Sequence, residues 1–353
     1  MNKKLSILLV GNISDNPKIY TYASSFARAL LTCGYDVTTF NNKKKLLKSN
    51  NRYIQKLSHV INNYYSNYKL TKKVSCIKPD ILFLIKPDSI TPKAVSNIKK
   101  LYNPLIIAFH PDNPFAFWNG NANANFLRSL NTIDHVLCWS KMLMPALKSA
   151  GCKNIDYFPF AFDDEIFSQN LILSQQEQEE YISDVCFIGT WEPEREQWLT
   201  KIVEKIPTIN LAIWGNNWHE NLDHKSILHN YIKNNAIYTY DMIKAFRSSK
   251  IVLNFIRQQN MTSHNMRTFE VPASKAFILT QRTYEQAEFL FTEDENLACF
   301  ETVDELIKKI AFYLSNDTLR KQMAEKAFAH VQQFSLVKQL DYFMNNIDKG
   351  DEL

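Results

Sequence analysis

Glycine is scarce in this chain, with seven in 353 residues. No G-x-G-x-x-G occurs, which excludes the dinucleotide-binding fingerprint. No apolar run approaches the ~20 residues needed to cross a bilayer. The basic start and short apolar run of residues 1–12 also fall short of a signal peptide, because the run ends at Gly11 and passes into a helical pattern. Cys33, Cys76, Cys138, Cys152, Cys186 and Cys299 show no C-x-x-C spacing. In a chain of this size that points to free thiols in a reducing cytoplasm, not to disulfides or a zinc site. The final Gly350-Asp351-Glu352-Leu353 lacks the lysine of an ER-retention tail. Acidic residues are missing altogether between Asn41 and Lys78.

That last gap makes the charge uneven. The chain carries +5 overall, and the basic segment 43–78 holds Lys43, Lys44, Lys45, Lys48, Arg52, Lys56, Lys69, Lys72, Lys73 and Lys78. Tyr53, Tyr64, Tyr65 and Tyr68 are interleaved with them. A basic, aromatic-bearing helical face suits peripheral contact with an anionic membrane surface, or an anionic acceptor. An ordinary solvated helix face is the alternative. The modest net charge does not require nucleic acid as a partner.

What is present is ample core. Hydrophobic residues make up 45% of the chain and aromatics 13%, enough for two packed domains. Apolar runs at Leu5–Val10, Val37–Phe40, Ile81–Ile85, Pro104–Phe109, Asp134–Trp139 and Asp156–Pro159 read as strands. Helical patterns stand between them, as at Thr21–Cys33, whose Tyr22, Phe26, Ala29 and Leu30 share one face. A polar stretch over Gln169–Ser183 interrupts the rhythm. It then restarts with strands at Asp184–Ile188, Leu211–Trp214, Ile237–Tyr238, Ile251–Leu253, Ala276–Thr280 and Ala298–Phe300. Alternation of this kind means α/β architecture with parallel, doubly wound sheets. The expected organisation is an N-terminal Rossmann-like domain over 1–170, a C-terminal one over 171–335, and a last helix over 336–353 packing back on the first. A ligand would lie at the strands' carboxyl ends, in the cleft that the two domains face.

Several candidates fall at such strand ends. Gly11, Gly189 and Gly215 each follow a strand directly, where glycine permits close backbone approach or a sharp turn. Gly189 leads into Thr190, Trp191 and Arg195, and Gly215 into Asn216. Tyr240 supplies an aromatic ring for stacking on a ligand. His110 and Asp112 follow the strand that ends at Phe109, a position suited to a general base or hydrogen-bond donor. The most informative stretch is Ile251–Thr280, a strand, a polar loop, a helix and a strand. Ser263, His264, Asn265 and Arg267 cluster where the loop enters the helix, which suits a phosphate or diphosphate. Glu270 lies one turn after Arg267 and can accept from sugar hydroxyls. A plain surface ion pair between the two is the alternative.

This stretch resembles the nucleotide-sugar segment of GT-B glycosyltransferases of group 1, most nearly those related to the spore-maturation protein CgeB. The matching residues are Leu253-Asn254, Asn265-Met266-Arg267-Thr268-Phe269-Glu270, Ala273 and Phe277–Thr280. Phe187-Ile188-Gly189 with Glu194-Arg195 fits the same pattern, and His110–Phe115 resembles the aromatic-x-x-Asp-Asp-Pro-Phe element, with Asn113 at the second Asp. Two positions depart. Lys275 stands where glycine is usual, and Thr262 stands eight residues before Glu270, where the wider retaining group has a first Glu.

The resemblance implies a bacterial glycosyltransferase of two Rossmann-like domains. Its donor would be a nucleoside-diphosphate sugar, UDP- or GDP-type, and its acceptor a glycan, protein or lipid. Arg267, Asn265 and His264 would hold the diphosphate, with Arg195 as a second cation. Asn254 would line the donor site, and Glu270 would meet the ribose or a sugar hydroxyl. No D-x-D occurs, so metal-independent transfer is expected, with retention of configuration. A sugar-nucleotide epimerase and a non-catalytic sugar-nucleotide-binding scaffold are the competing readings.

Overall fold

Strands built from unbroken apolar runs need cover on both faces, and a parallel sheet with flanking helices supplies it. Ile81–Ile85 is such a run, and all five of its residues are buried. The computed structural model describes residues 5–14, 19, 21–43, 52–116, 123–167, 171–234, 236–260 and 262–347, with backbone alone over 52–60 and at 234. It divides into two compact units, one of Met1–Pro159 with Leu336–Leu353 and one of Phe160–Ser335.

The first unit runs β1 (Ser6–Gly11), α1 (Tyr22–Thr32), β2 (Asp36–Asn41), α2 (Arg52–Ile77), β3 (Ile81–Ile85), α3 (Pro92–Tyr102), β4 (Leu105–Phe109), α4 (Ala124–Ser129), β5 (His135–Cys138), α5 (Leu143–Ser149) and β6 (Asn154–Tyr157). Its sheet is wholly parallel in the order β2-β1-β3-β4-β5-β6, so the direction of winding reverses between β1 and β3. Local signals set the helix ends. Thr21 caps α1 by accepting from the Ser24 N–H at 3.2 Å, and Thr91 caps α3 with Pro92 in the first turn. The Phe26 ring of α1 packs on Phe83, Phe109 and Phe158.

The second unit runs α6 (Asp164–Phe167), α7 (Gln175–Tyr181), β7 (Ser183–Ile188), α8 (Pro193–Lys205), β8 (Leu211–Trp214), α9 (Trp218–Asn221), β9 (Ile232–Asn234), α10 (Thr239–Ser248), β10 (Ser249–Asn254), α11 (Arg267–Ala273), β11 (Ile278–Gln281), β12 (Ala298–Phe300), α12 (Val303–Ser315) and α13 (Asp317–Val331). Its parallel sheet has the order β12-β11-β10-β7-β8-β9, which reverses between β10 and β7. The core joins Val185, Phe187, Ile213 and Leu253 of the strands to Leu199, Ile202, Leu306 and Ile310 of α8 and α12. The last helix, α14 (Leu336–Asn346), belongs to the first unit and packs on α1. There Phe343 meets His135 edge-on at 5.9 Å, and Cys33 donates to the Val337 carbonyl.

The structure corrects some boundaries. The division between units falls at Pro159/Phe160, whereas the polar stretch had pointed to 170/171. Phe160 goes with the second unit because its N–H donates to His264 Nε2 at 3.1 Å. The short strand read at Ile237–Tyr238 is instead Ile232–Asn234, and Tyr238 is the residue before α10. Only Ile232 of that strand is apolar, so alternation gave no signal there. Among the described residues, 52–77 form a single helix, while Lys44, Lys45, Lys48 and the Gly350–Leu353 tail lie outside them. None of the six thiols is in a disulfide, and burial pushes Cys186 and Cys299 up to about 12, which suits inert packing residues. No helix among the described residues is long and apolar enough to cross a membrane.

Gly189 and Gly215 mark a backbone crossing. The Gly189 N–H donates to the Trp214 carbonyl, and Trp218 Nε1 donates to the Gly189 carbonyl, both at 2.9 Å. A Cβ on Gly215 would lie 1.8 Å from that carbonyl oxygen, which is backbone and cannot swing away. On Gly189 a Cβ would meet the tip of the Phe187 ring instead. Gly215→Ala is therefore expected to cost about 2–3 kcal/mol or more and Gly189→Ala less. Urea denaturation of the two variants checks the order; equal costs would remove this account of Gly215.

Candidate functional site

The carboxyl ends of the second sheet are occupied by polar side chains that are buried. Asn254, the last residue of β10, donates from Nδ2 to Thr280 Oγ1 at 3.0 Å and to Thr268 Oγ1 at 3.5 Å. Its Oδ1 accepts from Asn265 Nδ2 at 2.8 Å. Thr268 in turn donates to Gln286 Oε1 at 2.7 Å, and Gln286 Nε2 donates to Thr283 Oγ1 at 2.8 Å. This network ties β10, β11 and α11 together at the point where the winding reverses. Asn265 Oδ1 stays buried with no partner.

His264 is fully buried and belongs to a second chain of hydrogen bonds. Its Nε2 accepts from the Phe160 N–H, which leaves Nδ1 to carry the proton and donate to Ser263 Oγ at 2.9 Å. Ser263 then donates to Glu285 Oε2 at 3.0 Å. Burial pulls the imidazole down to about 3, so it is neutral at physiological pH. Both nitrogens are used inside the protein, and the diphosphate role expected for His264 is corrected to a structural one.

Arg267 and Glu270 do pair, one turn apart on α11. Glu270 is buried, and burial pushes its carboxyl up against the opposing pull of Arg267. The pair is thus not the exposed one common on helix surfaces. The Arg267 guanidinium keeps a buried Nε with no partner and lies over the Phe246 ring at 5.7 Å. Arg195 is also nearly buried. It donates to the Thr190 carbonyl at 2.7 Å, pairs with Glu192 at 3.3 Å and lies over Phe187. Burial pulls Arg195 down to about 10; Glu192 opposes this, while Arg257 and Arg267 add to it by charge repulsion. Arg257 also pairs with Glu192, at 2.7 Å, so Arg195 and Arg257 share one carboxylate. A small pocket here is lined by Glu192, Glu194, Arg195, Trp198, Phe255, Ile256 and Gln281.

The remaining second-unit candidates sit on the same edge. Trp191 donates from Nε1 to Glu196 Oε2 at 2.7 Å, and Asn216 donates to the Tyr238 hydroxyl at 3.3 Å. Tyr240 is exposed at the start of α10, next to Thr239, whose φ of 52° is unusual for a β-branched residue. Lys275 has φ 60°, which explains why glycine suits that position; here its Nζ lies over the Phe328 ring at 4.7 Å.

In the first unit, Gly11 serves packing, since a Cβ there would lie 2.5 Å from Ala23 Cβ. His110 is buried, with Nδ1 at 2.8 Å from the Asp112 carbonyl oxygen and Nε2 at 3.2 Å from Asp88 Oδ1. The Asp112 carboxylate pairs with Lys86. Asp88, Lys86 and Asn123 complete this cluster, and none was singled out from sequence. Asp88 and Lys86 could have been found by the rule that raised His110, since both follow a buried strand closely. Among the described residues no group of acidic, histidine or cysteine side chains could hold a metal ion.

Residues 195–345 match the family model described as Glycosyl transferase-like. No curated protein matches the chain. Among solved structures, sucrose-phosphate synthase from Thermosynechococcus elongatus aligns with a TM-score of 0.71 at 10% identity, over 99% of this chain and 100% of that one. A glycosyltransferase from Rickettsia africae aligns at 0.69 and 15% identity, over 98% of each chain. HepE of Anabaena, solved in complex with UDP, aligns at 0.66 and 13% identity, over 98% and 100%. At such identities the likeness establishes the fold, which is GT-B with two Rossmann-like domains.

The buried His264 gives a pH prediction. Between its ordinary value of 6.5 and about 3, the unfolded chain binds a proton that the folded one does not. Stability through this group is flat above pH 6.5 and falls as pH drops, by about 1.4 kcal/mol per pH unit. Glu270, raised by burial, acts in the opposite direction in its own window, but it does so equally in His264→Gln. The difference between wild type and His264→Gln in urea midpoints from pH 7.5 to 5 should therefore shrink toward acid. A constant difference would rule out a neutral His264.

Proposed function

We propose that this chain is a CgeB-like glycosyltransferase that moves a sugar from a nucleoside-diphosphate sugar to a hydroxyl of a glycan, protein or lipid. The donor, UDP- or GDP-type, binds the second unit without a metal, and configuration is retained. The carrying observation is that Arg195 and Arg257 share one carboxylate, Glu192, at 3.3 and 2.7 Å, with Arg267 close enough to act on Arg195 by charge, beside the reversal of winding. Like charges held together partly out of water raise the free energy of the empty site, and a diphosphate relieves it. The match of 195–345 to the Glycosyl transferase-like model supports the same reading, because it covers Arg195, Arg257, Asn265 and Arg267. Arg267 offers the diphosphate an unpartnered Nε donor, Tyr240 offers an exposed ring for the base, and Glu270 neutralises Arg267 when the site is empty.

The enzyme would work in the cytoplasm, with peripheral contact to the membrane's inner face. Ile61, Tyr64, Tyr68 and Lys69 are exposed along α2, which supports that contact; of Arg52, Tyr53 and Lys56 only the backbone is described. A second reading, a sugar-nucleotide-binding scaffold without turnover, is favoured by the exposed Thr262 in the place of a first carboxylate.

The test is a thermal-shift screen of UDP, GDP, ADP, CMP and dTDP, each alone and as its sugar conjugate. One base should stabilise selectively, and Arg267→Ala should weaken that ligand about tenfold or more, as loss of a charge-assisted contact does. No shift with any nucleotide would defeat the donor assignment. Selective binding with no release of nucleoside diphosphate, whatever acceptor is offered, would favour the scaffold.

A further inference from the structure

We propose that Asp88 is the residue that binds the acceptor hydroxyl on the first unit, with His110 and Asn123 as its positioning residues. This rests on the transferase reading above and adds the chemistry of the acceptor, an uncharged, hydroxyl-bearing molecule.

Asp88 lies in the turn after β3, beside β1, where the winding of the first sheet reverses. Ligands in such sheets bind outside the carboxyl ends at that point. The turn is held from several sides. Lys86 takes a left-handed φ of 47°, and the Asp88 N–H donates to the Lys86 carbonyl at 2.9 Å. Asn67 of α2 donates to the Ser89 carbonyl at 2.7 Å and accepts from the Thr91 N–H at 2.8 Å. Asn125 of α4 donates to the Asp88 carbonyl at 2.8 Å. Backbone pinned by two side chains from different helices gives the carboxylate a fixed place.

The two carboxylate oxygens differ. Oδ1 accepts from Asn123 Nδ2 and lies 3.2 Å from His110 Nε2; both of those side chains are buried. No described residue hydrogen-bonds Oδ2, and Lys43 Nζ stands 3.9 Å from it. The side chain is 28% exposed, so the second oxygen has room for a hydroxyl donor. His110 cannot take that role. Its Nδ1 meets the Asp112 carbonyl, its Nε2 meets Asp88 and Asn123, and its ring is stacked on Phe126 at 5.0 Å. The Asp112 carboxylate is held by Lys86. Two carboxylates, Asp88 and Asp112, stand beside two lysines, Lys43 and Lys86. The cluster has no surplus charge for an anion, and a carboxylate oxygen that only accepts selects a hydroxyl.

Saturation-transfer NMR on the full chain, with methyl α-glucoside, methyl β-glucoside, methyl α-mannoside and glycerol as probes, tests the assignment. At least one probe should bind wild type, and Asp88→Asn should weaken it about tenfold or more, since a hydrogen bond to a charged group is lost. Asp88→Ser is the second variant should the first fail to fold. Stabilisation by the nucleotide found in the thermal screen should stay unchanged in either. Equal binding of the probes by the variants, or no binding of any probe by wild type, overturns the proposal. Probe binding that depends on Asp88, in a protein that no nucleotide stabilises, would support this site while defeating the donor reading.

Discussion

The second unit depends on one buried amide. β10 ends inside the protein, so the chain must leave the sheet without stranding polar groups, and Asn254 is placed where that problem arises. Its amide nitrogen serves Thr280 and Thr268, and its oxygen receives Asn265. A buried polar group left unpaired costs roughly 1–3 kcal/mol, so each partner constrains the next. The consequence is a fixed start for α11. The helix has only seven residues, too few to hold its own orientation in isolation. It keeps its place because Thr268 is bonded into the network and because Phe269 packs on His264, Phe291 and Phe334. Arg267 therefore enters the strand edge from a rigid base.

Two sheets with different strand orders arrive at the same device. In the first unit the reversal of winding lies between β1 and β3, and in the second between β7 and β10. Each reversal separates two crossover connections and opens a gap at the carboxyl ends. The side chains that fill the two gaps differ in kind. The second carries guanidiniums paired with the buried Glu270 and the partly exposed Glu192. The first carries carboxylates, lysines and amides that balance one another. On the proposed reading, that contrast distinguishes a site for an anion from one for an uncharged hydroxyl.

The fold was legible because apolar runs and their spacing determine it. The strand Ile81–Ile85 and the strand Ala298–Phe300 stand where the apolar runs placed them, and the helical pattern that opens at Thr21 is the helix that Thr21 caps. What failed was marginal: β9, with one apolar residue, and the exit at Phe160, which depends on a contact with His264 more than a hundred positions away. The site was legible as a place but less so as a set of roles. Sequence position puts His264 next to Asn265 and Arg267, yet burial and two hydrogen-bond partners make it structural. The same holds for Gly215, which serves a backbone crossing. Asp88 was passed over because an aspartate three residues past a strand looks like any turn residue until His110 and Asn123 are seen against it.

Burial also speaks against one reading of Arg267 and Glu270, the plain surface ion pair. An exposed pair at this spacing would add a few tenths of a kcal/mol to the helix and nothing else. Here Glu270 is almost wholly enclosed, and its carboxyl is pushed upward by the loss of water even with Arg267 against it. Such a carboxylate is costly to keep charged, and stability alone would be served as well by apolar residues of similar volume. Its presence makes sense as the counter-charge of an arginine that must stay charged and partly unsatisfied. Arg267 uses one nitrogen on Glu270 and leaves Nε without a partner, so it is neutralised without being saturated. On the proposed reading, a guanidinium held in that condition, with Arg195 close enough for its charge to be felt, is available to an incoming anion.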